Sequence, residues 1–183
     1  MRLPEMKAIV VHWDGGVPKD GNVEGLMQWM RDERKDGAFY HRFVSGQRIV
    51  YGRSTAEGCV HCGNNTYTLE STQYFGAYYC PPWDHRLTPH ESSPNNCTIG
   101  VCILHDHPGG GYSGETLRTA AKLCAELLAY YGLGIGALWT HTDIVGEKTK
   151  LCPRAFYKIP HQREYFYDEV RRILTGGEGE VSA

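Results

Sequence analysis

Three residues with ligand chemistry, His12, His141 and Cys152, stand at the edges of predicted elements. Two imidazoles and one thiolate make a three-ligand zinc set, which leaves the fourth tetrahedral position open. An open position points to catalysis, because structural zinc sites are usually closed by four protein ligands. Lys150, just before Leu151 and Cys152, adds a cation where a reacting carbonyl would gather negative charge. Each residue alone has a plainer reading. A histidine ending a strand is commonly a core histidine, and a lone cysteine is more often a small buried residue than a ligand. The combination is less ordinary, and Gly146 and Pro153 mark an ordered turn between the last two residues of the trio. On residues alone, a zinc site and an ordinary buried trio both stay open.

The elements that must position these residues can be read from periodicity and punctuation. Lys7 to His12 is a β-branched run bounded by Pro4 and Gly15-Gly16, which predicts a buried strand delivering His12. Asn22 predicts a helix cap, with the helix running to about Lys35 and Leu26, Trp29 and Met30 on its apolar face. Phe39 to Val44 and Gln47 to Tyr51 read as a hairpin around Ser45-Gly46. Thr98 to Leu104 reads as a further apolar strand. Ser113 opens a helix with Leu117, Ala120, Ala121, Cys124, Leu128 and Tyr131 at helical spacing, closed by Gly132. Ile135 to Trp139 predicts a short strand that delivers His141, and His161 to Leu174 a last helix with Phe166, Val170, Ile173 and Leu174 inward. Asn64 to Asn96 lacks clear periodicity and reads as a long loop, a kind that tends to be functional. Strands interleaved with helices predict an α/β fold, a single domain with a central mixed sheet flanked by helices, over residues 1–175. Residues 176–183 have linker composition, either a frayed end or the junction to a second domain.

Composition narrows the function classes. The chain has 183 residues, 19 basic and 21 acidic, with net charge −2. There is no basic stripe of the kind nucleic-acid binders carry, so no nucleic acid partner is expected. No apolar run approaches the roughly 20 residues that span a bilayer, so no membrane partner is expected either. The N-terminus has a charge but no apolar stretch behind it, which predicts a chain made in the cytoplasm without a signal peptide. Seven cysteines are then expected to be mostly reduced, with Cys124 a small core residue.

Val10-Val-His12-Trp, then Phe39-Tyr40-His41, then Asn95-Asn-Cys-Thr-Ile-Gly-Val-Cys102, then His141 and Lys150-Leu-Cys152-Pro153 occur in an order that spans most of the chain. This series resembles the zinc-dependent N-acetylmuramoyl-L-alanine amidases, the family of phage amidase lysozymes, autolysins and peptidoglycan recognition proteins. The resemblance implies zinc held by His12, His141 and Cys152, with Tyr40 and Lys150 catalytic. It implies bacterial peptidoglycan as the partner and cleavage of the amide between N-acetylmuramic acid and L-alanine. The segment from His141 to Lys150 is longer than in many relatives, which makes Lys148 a rival, but the spacing to Cys152 favours Lys150. Asp143 is expected to structure the loop rather than act as a base. His61 resembles a cleft histidine of the family and could contact substrate, or be a loop histidine. Trp13 could offer a flat face to sugar rings, or just cover the sheet. The implied setting is an endolysin that reaches the cell wall after release, or a bacterial autolysin, with a C-terminal wall-binding domain in a longer parent chain.

Other constellations compete. Cys59, Cys62, Cys80 and Cys97 could hold a second, structural zinc or form disulfides. His105 and His107 alternate at a strand end and read as surface. The chain could bind peptidoglycan without cutting it, although Cys152 is the ligand such binders lack. It could also be a cysteine peptidase, but Cys152 precedes a proline in what reads as a loop, away from the helix N-terminus that activates such thiols.

Overall fold

The computed structural model describes residues 6–15, 22–33, 39–55, 59–62, 67–75, 94–107 and 109–177. Five strands form one mixed sheet: β1 (Ala8–Trp13), β2 (Arg42–Ser45), β3 (Arg48–Tyr51), β4 (Thr98–Ile103) and β5 (Leu138–Thr140), in the order β3-β2-β4-β1-β5. β2, β4, β1 and β5 run parallel, and β3 returns antiparallel to β2 through the expected hairpin. β1 is central and buried on both faces, which is why it reads as a continuous apolar run.

Alternation along the strands separates two layers. Ile9 and Val11 of β1, with Ile99, Val101 and Ile103 of β4, face α4 (Gly114–Tyr130) and α7 (Pro160–Leu174). Ser113 caps α4 by accepting from the Thr116 amide at 3.2 Å, and the helix buries Leu117, Ala120, Ala121, Cys124 and Leu128 as its spacing predicts. α7 buries Phe166 and Val170, while Ile173 and Leu174 are only partly covered. Ala8 and Val10 face the opposite layer, with Phe75, Trp139 and Ile144. That layer holds α1 (Val23–Asp32), α2 (Leu69–Phe75), α3 (Pro94–Cys97) and α5 (His141–Val145), while α6 (Arg154–Lys158) leads into α7.

Several expectations change in detail. Asn22 caps α1 through its Oδ1, 3.1 Å from the Gly25 amide, but Trp29 is 38% exposed and Val23, Leu26, Met27 and Met30 make the buried face. The segment read as a loop from Asn64 to Asn96 contains α2 and most of α3; residues 76–93 lie outside the described residues. α2 escapes periodicity because polar bonds anchor it. The Thr68 amide donates to the Ile144 carbonyl at 2.8 Å, the Ser71 hydroxyl to the same carbonyl at 2.9 Å, and the Thr68 hydroxyl to the Asp143 carbonyl at 2.9 Å. Ile135–Ala137 is a 3-10 turn, and the strand proper is Leu138–Thr140. Among the described residues no disulfide forms, and Cys59, Cys62 and Cys97 do not gather as a metal-binding group; Cys80 lies outside them.

Candidate active site

The carboxyl ends of β1 and β5 bring two histidines side by side. Val11 is in register with Thr140, so the next residues along, His12 and His141, emerge together. Crevices outside the carboxyl ends of parallel strands are where α/β sheets commonly bind ligands. His141 is the first residue of α5, whose start is fixed by a reciprocal cap: the Asp143 amide donates to Thr140 Oγ1 at 3.1 Å and the Thr140 amide to Asp143 Oδ2 at 2.8 Å. Asp143 also accepts from Tyr157 and Arg163, so its carboxylate is spent on structure, as expected. Thr142 then ties the third residue to this helix. Its hydroxyl oxygen accepts from the Cys152 amide at 2.6 Å, and its own amide donates to the Cys152 carbonyl at 3.1 Å.

The described residues contain two groups able to hold a metal, His12 with His141 and Cys152, and His12 with His61 and Cys62, each with ligand atoms within 4.8 Å of one another. Spacing separates them. Bonds of about 2.0–2.1 Å to nitrogen and 2.3 Å to sulfur at tetrahedral angles put a nitrogen and a sulfur about 3.6 Å apart. His12 Nδ1 and Cys152 Sγ are 3.7 Å apart. The His12 and His141 rings are 4.8 Å apart between centroids, and His141 Nδ1 is buried with no hydrogen-bond partner among the described residues. A buried nitrogen with a free lone pair needs a partner, and a metal is one. In the second group His12 Nε2 and His61 Nδ1 are 2.9 Å apart, a hydrogen-bond separation and shorter than the roughly 3.3 Å edge of two nitrogens on one tetrahedral ion. The residues of the first group fit a zinc ion; those of the second are already bonded to each other.

Electrostatics agree with ligand chemistry. Burial, then the neighbouring His141 and His61, hold His12 well below the usual imidazole value. Burial and the charge of Lys150 push His141 down to about 3, opposed by a hydrogen bond to the Cys62 backbone. Both rings are therefore neutral and offer lone pairs. Burial pushes the Cys152 thiol up to about 12, while a hydrogen bond from the Trp13 backbone and the charge of Lys150 pull the other way.

The remaining predicted residues are placed as follows. Tyr40 is buried, with its ring 4.9 Å from that of His12. The Tyr40 carbonyl accepts from the Arg53 amide at 3.1 Å, and a Cβ on Gly52 would sit 2.1 Å from that same carbonyl oxygen, so only glycine lets the chain pass there. Lys150 is exposed, and its charge is felt at His12, His141, Cys152 and Cys102; Lys148, also exposed, is felt at none of them. His61 lies in the site but is 5% exposed and bonded inward to His12 and Thr98. Trp13 is not brought in: one residue beyond His12, it turns to the opposite sheet face and packs against the α4 and α7 layer. The motif reading passed over Cys102, buried and in register with His12 on the same face, and Asp14, whose buried carboxylate pairs with His105 Nδ1 at 2.6 Å. His105 is thus a partly buried partner of Asp14 rather than plain surface.

A mixed parallel-centred sheet with a histidine, histidine and cysteine trio at its carboxyl edge defines an α/β domain with a candidate metal site. Residues 2–155 match the family model described as N-acetylmuramoyl-L-alanine amidase, and the chain belongs to that family. Membership assigns it to the peptidoglycan amidases. Solved structures share the fold at low identity. The chain is similar to PlyL at 18% identity, covering 97% of this chain and 88% of that one with TM-score 0.65. It is similar to the PlyG catalytic domain at 17%, covering 100% and 88% with TM-score 0.63. It is also similar to the Staphylococcus aureus hydrolase AmiA, solved with its ligand, at 21%, covering 96% and 77% with TM-score 0.61. No curated protein matches the sequence. No helix among the described residues is long and apolar enough to cross a membrane.

Proposed function

We propose that this amidase is zinc-dependent, with the metal held by His12, His141 and Cys152, and that it cuts the amide between the lactyl group of N-acetylmuramic acid and L-alanine. The observation that carries the metal reading is the unpartnered, buried His141 Nδ1 beside a His12 and Cys152 pair spaced at 3.7 Å. Zinc, when bound, supplies Lewis-acid polarisation of the carbonyl and makes water a better nucleophile at neutral pH. The chain does the rest. Burial keeps both imidazoles neutral and also works against the Cys152 thiolate, which the Trp13 amide and Lys150 favour only in part, so a bound metal would supply the rest. Lys150, exposed at the site, donates to the oxyanion that forms as water adds to the amide carbon, an effect worth about 2.7–4 kcal/mol per donor in other enzymes. Tyr40, against His12, orients the attacking water, takes up its proton and hands its own to the departing amine, so it ends the cycle as it began. Carbon–nitrogen cleavage then leaves a carboxylate on the lactyl group and a free L-alanine amine. The solved structures it resembles include a mutant endolysin from Bacillus subtilis, which supports an endolysin setting for a catalytic domain over residues 1–175.

Purified protein should carry about one zinc per chain, and Cys152→Ser should lose most of it together with lytic activity. Mass spectrometry of digested walls should show new L-alanine N-termini and intact glycan strands. New reducing ends without new L-alanine amines would overturn the assignment, and full activity in a metal-free preparation would overturn the role of zinc.

A further inference from the structure

We infer that Thr98 and His61 fix the tautomer of His12, so a buried histidine decides which nitrogen His12 turns to the metal. The inference rests on the zinc reading above. The chain of donors can be followed atom by atom. The Thr98 hydroxyl has one hydrogen, and it goes to the Pro94 carbonyl at 2.5 Å, because a carbonyl only accepts. In the 3.1 Å contact between Thr98 Oγ1 and His61 Nε2 the ring must therefore be the donor. A neutral ring with its hydrogen on Nε2 has a bare Nδ1. That Nδ1 lies 2.9 Å from His12 Nε2, so His12 Nε2 carries the hydrogen and donates it. His12 Nδ1 is left bare, and it is the atom 3.7 Å from Cys152 Sγ.

Cys62 Sγ is 3.1 Å from the same His61 Nδ1 and 3.6 Å from Thr98 Oγ1. Its S–H is a weak donor, and the Thr98 oxygen keeps a lone pair for it. On the other candidate ligand, His141, Nδ1 is buried with no hydrogen-bond partner among the described residues. His12 thus presents Nδ1 and is oriented by His61. Metal-bound histidines usually give their other N–H to a carboxylate, carbonyl or water; here one of the two gives it to an imidazole.

The turn is built to stay there. Asn95 Oδ1 accepts from the His61 amide at 2.9 Å and from the Cys62 amide at 2.8 Å, and the Asn95 carbonyl accepts from the Cys59 amide at 3.0 Å. The His61 ring lies flat over Gly100, where a Cβ would come within 2.9 Å of its Cγ and Nδ1. His61 and Thr98 are positioning residues.

The test reads tautomers directly, by long-range proton–nitrogen NMR on full-length protein with labelled histidine, metal-free and zinc-loaded. A chromophoric chelator in competition gives zinc affinity. Metal-free wild type should show His12 and His61 with hydrogen on Nε2. Thr98→Val should let His61 change tautomer, mix the His12 tautomers and weaken zinc binding about 10–100-fold. Thr98→Ser should restore both. His12 found with its hydrogen on Nδ1 in metal-free wild type overturns the inference. So does a Thr98→Val protein with wild-type tautomers and zinc affinity. Wild type that takes up no zinc overturns the metal reading instead, and the metal-free tautomers still decide this one.

Discussion

Tyr40 and Lys150 sit beside the candidate ligands without offering them a metal bond in either ligand group. A donor used mainly in the transition state lowers the barrier without adding to metal affinity. Tyr40→Phe and Lys150→Ala should therefore keep zinc and lose turnover, with the loss chiefly in kcat, on the order of 10²-fold or more. Lys148→Ala should stay close to wild type, because its charge does not act on the site histidines. Zinc content by atomic emission and initial rates on purified muropeptide check all three; a dead Lys148→Ala beside an active Lys150→Ala would move the role to Lys148. At this scale the sequence was informative where residues end strands or flank proline, since such positions face a crevice. For His61 it offered only a substrate contact or a loop histidine. Seeing what that ring does needs Thr98, Gly100 and Asn95 brought across from another strand, and no local spacing encodes that.

The start of α4 depends on Asp106, a residue with no part in the motif pattern. Its carboxylate accepts from the Ser113 amide at 2.7 Å, from the Ser113 hydroxyl at 2.7 Å and from the Thr116 hydroxyl. Partial burial works to raise this carboxyl, but the bonds from Thr116 and Ser113 outweigh it and hold it below the ordinary carboxylate value. A depressed folded-state value means the native state binds fewer protons than the unfolded state. The contribution is present above the unfolded value of about 3.9 and is lost as pH falls below it. Urea titrations should show Asp106→Asn less stable than wild type at pH 7, with the gap closing toward pH 3; a constant gap would mean the carboxylate charge is not what matters. Ser113→Ala should cost about 1 kcal/mol at pH 7 by removing the cap. α4 was legible because capping and apolar spacing agree there. α2 was not, because it buries only Ser71 and Phe75 and hangs from α5 by hydroxyl and backbone bonds. β5 was misjudged by a few residues because glycine-flanked Ile135–Ala137 tightens into a 3-10 turn before the strand begins.

For the whole molecule, the three candidate ligands come from parts of the chain far apart in sequence: the end of β1, the start of α5 and the turn before α6. The α4 and α7 layer has its own apolar core on the opposite face and does not touch the trio's ligand atoms to stay folded. The domain should therefore fold without metal and gain stability with it, unlike a small zinc module that is unfolded when empty. A ligand that binds only the native state stabilises by RT ln(1 + [L]/Kd), about 4 kcal/mol at a thousandfold excess over Kd. For a domain of this size each kcal/mol moves Tm by about 2–4 °C, so zinc-loaded protein should melt roughly 8–16 °C above chelator-treated protein. Cys152→Ser should melt at one temperature in both buffers, because the thiolate that completes the set is gone. Calorimetry with zinc and with chelator measures this without reference to substrate. Equal melting of wild type in both buffers would mean these three segments are not joined through a metal, however well the rest of the fold matches its relatives.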